Sequence, residues 1–169
     1  MQALGDSFYE YLLKYCLYNN KSDAKLFDMY IKSIDAIRNS MVGISSKDYL
    51  AYFGDLKSDR LEKKMGHLAC FTGGLLALTS LYSSKSSSLE YMELGKNITN
   101  TCHESYVRSE TRIGPEYFHF EREEQEAKSI KNDEKSYLLR PEVVESYFYL
   151  WRLTKDVKFA FFSFSTKFN

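Results

Sequence analysis

A chain of 169 residues can bury a core of its own, since chains of this size remove about 70% of their extended surface on folding. Its 23 basic and 23 acidic residues cancel to a formal net charge of zero, which argues against nucleic acid or an anionic membrane as a partner. No stretch reaches the roughly 18 apolar residues of a membrane-crossing helix, and Met1 runs into patterned sequence without the basic and apolar regions of a secretory leader. Aromatic residues make up 16%, 14 of the chain being tyrosine, which reads first as packing mass and second as surface for sugar rings.

Ser7 and Glu10 have the spacing of a capping box, and Phe8, Tyr11, Leu12, Tyr15 and Cys16 follow with the period of a helix that buries one face. Asn19 to Ser22 turns the chain into a second helix, lined on one side by Leu26, Met29, Tyr30, Ser33, Ile34 and Ile37. Residues 41 to 66 are less regular: Tyr49 to Phe53 reads as a short strand, Gly54-Asp55 as a turn, with room for a small β-hairpin near 49–60. A third helix, about His67 to Tyr82, is apolar on nearly every side and is expected to be buried. Gly73, Gly74 and Ala77 let a neighbouring helix approach it closely.

Ser83 to Ser88 reads as a polar loop, and a fourth helix as Leu89 to Tyr106 with Tyr91, Leu94, Ile98 and Cys102 inside. Residues 107 to 138 are mostly loop. Within them Phe120 to Lys135 mixes both charges and reads as solvated, while Gly114-Pro115 fixes a turn before Glu116. Pro141 suits the first position of a helix running to about Leu153, with Val144, Tyr147, Phe148 and Trp151 as its apolar stripe. Glu142, Glu145, Tyr149 and Arg152 fall on the opposite face. The chain is therefore expected to be all-α, built of antiparallel helical hairpins with acids at loop-to-helix junctions on one end.

Two strings put carboxylates beside helix starts: Leu4-Gly5-Asp6-Ser7-Phe8-Tyr9-Glu10 and Leu139-Arg140-Pro141-Glu142-Val143-Val144-Glu145. Local physics explains each without catalysis. The helix dipole favours a Glu after an opening Pro, Asp6 can support a cap, His67 at a helix start can be structural, and Arg140 can be a surface charge. Converging buried acids are also the equipment of glycoside hydrolysis.

Three further segments accompany these strings in order: Lys64-Met65-Gly66-His67-Leu68-Ala69-Cys70-Phe71, Thr101-Cys102-His103-Glu104-Ser105-Tyr106 and Ile113-Gly114-Pro115-Glu116. Together the five resemble glycoside hydrolase family 47, the calcium-dependent α-1,2-mannosidases that trim N-linked glycans, and the likeness runs to about Lys158. The resemblance implies part of an (α/α)7 barrel and hydrolysis, with inversion, of terminal α-1,2-linked mannose from oligomannose N-glycans. It places Glu142 as the general base and Asp6 as a second catalytic carboxylate, an acid or the orienter of the acid's water. Inversion needs two such groups roughly 6.5–9.5 Å apart. Leu4, His67, Glu116, Arg140 and Glu145 match positions lining the sugar pocket, and Glu142 and Glu145 match positions that hold waters on Ca2+.

The resemblance also implies a disulfide between Cys70 and Cys102, with Cys16 left as a buried thiol. Asn20-Lys21-Ser22 and Asn97-Ile98-Thr99 are glycosylation sequons. With the disulfide they suggest the lumen of the secretory pathway, Golgi or endoplasmic reticulum. Leu4 resembles the Golgi-type members, because the endoplasmic-reticulum type carries arginine there.

The sequence departs from the family pattern at both ends. Residues 1–158 read as a partial catalytic domain lacking the amino-terminal half, a third carboxylate and the threonine that ligates calcium. Residues 159–169 read as a divergent tail rich in phenylalanine. The expectation is a chain that alone is catalytically silent and marginally folded, with unpaired apolar faces on its flanking helices. Two other readings stand beside it: a glycan-binding module without catalysis, and a helical interaction protein whose acids are caps.

Overall fold

α1 (Asp6–Tyr18) and α2 (Ala24–Met41) form the expected helical hairpin in the structure, a computed structural model. It describes residues 6–20 and 22–165, without the side chains of Asp6 and residues 163–165. α1 includes Ser7, and Glu10 engages Lys14 one turn on. Its buried residues are Leu12, Leu13 and Cys16, whereas Phe8, Tyr11, Tyr15 and Tyr18 form an exposed aromatic stripe. In α2 the Asp23 carboxylate accepts from Leu26 N–H at the N-cap, and Tyr30, Ile34 and Ile37 face the core.

Residues 42–66 hold more strand than the sequence suggested. β1 (Val42–Ile44) pairs antiparallel with β2 (Ala51–Phe53), and β3 (Asp55–Lys57) pairs with β4 (Arg60–Glu62). Gly54 joins two strands, and the tight turn falls at Ser58 and Asp59, both left-handed at φ 47° and 61°, as a two-residue hairpin with right-handed strand twist requires. β5 (Lys64–Gly66) pairs with β6 (Tyr117–His119), a strand inside the region expected to be loop.

The third helix is divided into a 3-10 turn, His67–Phe71, and α3 (Thr72–Ser80). α4 (Lys85–Val107) starts four residues before the expected Leu89, because Ser84 acts as its cap and the serines form its first turn. Gly73 and Gly95 bring α3 and α4 almost into backbone contact: a Cβ on Gly73 would lie 2.0 Å from Thr99 Oγ1, and one on Gly95 2.7 Å from the Gly73 carbonyl. The Cys70–Cys102 disulfide, Cα–Cα 6.0 Å, ties the same junction.

α5 (Glu142–Thr154) packs on α3 through Val143, Ser146, Tyr147 and Leu150. The expected stripe is thus corrected, since Val144 and Phe148 are exposed. Ser146 decides the rotation: its hydroxyl donates to the Cys70 carbonyl at 2.6 Å and accepts from Gly74 N–H at 2.8 Å. A small polar face fits the glycines where an isopropyl or phenyl group would not. α6 (Val157–Ser165) continues the helical pattern into the aromatic tail, with Phe159 buried and Phe162 stacked on His103.

The charged run 120–135 is also less solvated than expected. Glu126 and Glu134 are almost wholly buried within it. Glu126 accepts from Ser45 Oγ, Lys47 N–H and Asp48 N–H at 2.8–2.9 Å, which pins the β1–β2 loop.

Candidate functional site

The β5–β6 ladder sets His67 beside Glu116. β5 ends one residue before His67 and β6 begins one residue after Glu116, and the His67 N–H donates to the Glu116 carbonyl at 2.9 Å. α5 brings Glu142 to the same place as its first residue, where free amides and the helix dipole favour a carboxylate. Just before it, Leu139 adopts the left-handed region at φ 53°, an uncommon conformation for a leucine that turns the chain into Arg140.

The His67 ring is 1% exposed and joins two groups. Nδ1 lies 3.2 Å from Glu142 Oε2, and Nε2 lies 2.6 Å from the Tyr106 hydroxyl. Burial, aided by the neighbouring Tyr137, pushes the Tyr106 phenol well above its ordinary pKa, so it keeps its proton. A Glu142 carboxylate can only accept, so a neutral His67 donates through Nδ1 and receives the Tyr106 proton's hydrogen bond at Nε2. Tyr106, His67 and Glu142 thereby form one line that aims the carboxylate.

Beside it, Arg140 donates from Nε and Nη2 to the two oxygens of Glu116, both at 2.6 Å, a bidentate fork. That hydrogen-bonded pairing raises the Arg140 pKa further, with Glu142 adding to the effect. Four expected residues, His67, Glu116, Arg140 and Glu142, therefore gather at one end of the fold.

Glu145 lies one turn along α5 and meets α1. Lys14 Nζ donates to Glu145 Oε1 at 3.3 Å and also to Glu10. Burial, then the charge of Glu10, raises the Glu145 pKa, while Lys14 opposes the rise. Asp6 starts α1, but its side chain and the whole of Leu4 fall outside the described residues, so their places in the pocket are expectations only.

Glu142 and Glu145 are engaged by His67 and Lys14, and no three His, Cys, Asp or Glu side chains among the described residues converge to hold a metal. No step below runs through one. Cys16 is a buried free thiol, as expected. Asn20 and Asn97 are both exposed, though Lys21 of the first sequon lies outside the described residues.

Tyr106, Tyr137, Glu10 and Lys14 were not anticipated as site residues. Tyr106 and Glu10 each close one of the recognised strings, Glu10 being read as part of a cap; Tyr137 lies in the region read as loop.

Such an assembly of half-buried carboxylates, a buried histidine and an arginine fork is the kind of site found in glycoside hydrolases. The model of glycosyl hydrolase family 47 matches residues 1–164, and the chain belongs to that family. It is 52% identical over 157 residues to the mannosyl-oligosaccharide alpha-1,2-mannosidase IA of Drosophila melanogaster, covering 93% of this chain and 23% of that protein. With the human mannosyl-oligosaccharide 1,2-alpha-mannosidase IB the identity is 47%, over 93% of this chain and 24% of the relative. The fold is similar to the solved alpha-1,2-mannosidase from Trichoderma reesei, with TM-score 0.80 and 26% identity, over 98% of this chain and 37% of that one. The described helices are accordingly part of an (α/α)7 barrel. The chain spans about a quarter of the length of these curated relatives.

Proposed function

We propose that this chain forms one wall of the active site of an α-1,2-mannosidase that removes terminal α-1,2-linked mannose from oligomannose N-glycans with inversion. The observation that carries the reading is the Glu142 carboxylate at the start of α5, aimed by a buried His67 and flanked by the Arg140–Glu116 fork. In this reading Glu142 takes a proton from a water attacking the anomeric carbon. The glycosidic C–O bond breaks on the opposite face, and the departing oxygen receives a proton delivered by or through Asp6. His67 and Tyr106 keep the base oriented, while the Arg140–Glu116 pair and Glu145 present hydrogen-bonding groups to sugar hydroxyls. Calcium, an attachment to the Golgi or endoplasmic-reticulum lumen and the pocket role of Leu4 belong to the same proposal and rest on family likeness.

The test is the anomer first released from an α-1,2-linked oligomannose glycan by the full-length protein, followed by NMR. Inversion gives β-mannose first. Glu142→Gln is expected to lower the rate by about 10²–10⁴-fold, the usual worth of a general base. Tyr106→Phe should lower it by about tenfold through loss of the line to His67. Release of α-mannose first, or a Glu142→Gln protein as fast as the parent, would refute the assignment.

A further inference from the structure

The β5–β6 pair is only three register pairs long, too short to be rigid by its own ladder, yet it carries His67 at one strand's end and Glu116 at the other's start. One residue from a distant loop touches both of its ends. At the far end the Glu134 carboxylate, 4% exposed, takes Lys64 Nζ at 3.1 Å and His119 Nε2 at 2.7 Å. Lys64 and His119 are directly opposed across the two strands. At the site end the Glu134 carbonyl accepts the Glu116 N–H at 2.9 Å. Ser129 Oγ donates to the Tyr117 carbonyl at 2.5 Å and reaches the Glu134 carbonyl at 3.4 Å, which closes the arrangement.

We infer that Glu134 is a positioning residue: its carboxylate and its carbonyl strap the two ends of the β5–β6 pair and so fix where His67 and Glu116 stand. The role in sugar handling rests on the mannosidase reading above; the strap itself does not. Burying a carboxylate is costly unless it is fully paired, and both of its oxygens here meet charged or ring N–H groups. Among the described residues His119 Nδ1 is buried without a hydrogen-bond partner. Lys131 N–H adds a donor to the same carboxylate at 3.4 Å and anchors the turn that leads on to Arg140.

Amide hydrogen exchange and steady-state kinetics on the full-length protein test the inference together. Glu134→Ala is expected to speed exchange at the Glu116 and His67 amides by about tenfold or more while α3 and α4 amides stay protected, since local openings are separable from global ones. Glu134→Gln, which keeps an acceptor for Lys64, should restore most of that protection, whereas Glu134→Met, which fills the same space without an acceptor, should not. KM for the glycan should rise through the loosened Glu116, and kcat should fall through His67, which aims Glu142. Should Glu134→Ala fail to fold, Lys64→Met removes one arm alone and should give the same localised exchange. Unchanged exchange at Glu116 and His67, or a uniform rise over all amides, overturns the proposal. Localised exchange in a parent protein that hydrolyses no mannoside would instead overturn the mannosidase reading and support the strap.

Discussion

Replacing Gly73 by alanine sets two effects of opposite sign against each other. Helix propensity favours the change by about 1 kcal/mol, because glycine in a helix interior is the poorer residue. The new methyl, however, would lie 2.0 Å from Thr99 Oγ1, with the Gly95 carbonyl at 3.1 Å and Ser146 Oγ at 3.2 Å closing the escape routes. Thr99 is fully buried and donates to the Gly95 carbonyl at 2.8 Å, so turning its side chain away abandons a buried hydrogen bond. Overpacking costs about 1–3 kcal/mol and the orphaned hydroxyl about as much again, so the loss wins by about 2–3 kcal/mol. For a domain of this size that is a fall of about 5–10 °C in Tm. Adding Thr99→Ala frees the space, so thermal unfolding of the double variant should show a recovery of about 1 kcal/mol over additivity. A Gly73→Ala protein that melts at or above the parent, or strict additivity with Thr99→Ala, would show that α3 and α4 are not in contact as described.

Two further outcomes follow from other parts of the fold. The Cys70–Cys102 bond spans a sequence separation of 32, for which chain entropy gives about 3.7 kcal/mol. Urea titration of a Cys70→Ala/Cys102→Ala variant should show a loss near that size, and a loss below about 1 kcal/mol would mean that the bond adds little to this fold. For Glu126, burial alone would raise the carboxyl pKa, but the Lys47 and Asp48 amides, Ser45 and Arg108 outweigh it and hold the group below the ordinary glutamate value. A depressed carboxyl pKa stabilises the fold above the unfolded value and loses that contribution as pH falls through the folded one. Glu126→Gln should therefore cost about 2–3 kcal/mol at pH 7, from the lost charged hydrogen bonds, and progressively less as pH drops below 4.5. An equal cost at pH 7 and pH 3 would rule out the carboxylate as the cause.

Candidate site residues were legible where a short string carried a family resemblance. Glu142, Arg140, Glu116 and His67 were named by that resemblance, since local physics alone gave each a structural reading, and the fold brings all four together. Helix faces were harder, because periodicity says that a stripe exists but not which of two adjacent stripes meets a neighbour. In α5 the stripe with Val144 and Phe148 is the more apolar, yet the one with Ser146 is buried, because Gly73 and Gly74 leave room only for a small side chain that can hydrogen-bond. The serines before α4 have the composition of a loop, and only the cap formed by Ser84 makes them a first turn.

Buried charge was the least legible of all. In Phe120 to Lys135 the alternation of signs suggested solvent on every side, but Glu126 finds its partners some 78–81 positions earlier and Glu134 reaches back to Lys64. No window of local sequence contains those partners, so the distinction between a solvated acid and a strap exists only once the strands are paired. The consequence is a division of labour within this half-polar region. Apolar packing of α3, α4 and α5 fixes where Glu142 starts, whereas charged hydrogen bonds from two loop carboxylates fix the strands and loops around it. Acid should therefore loosen the loops, with His67 and Glu116, before it reaches the disulfide-tied helices, an order that residue-resolved exchange at falling pH would reveal or contradict.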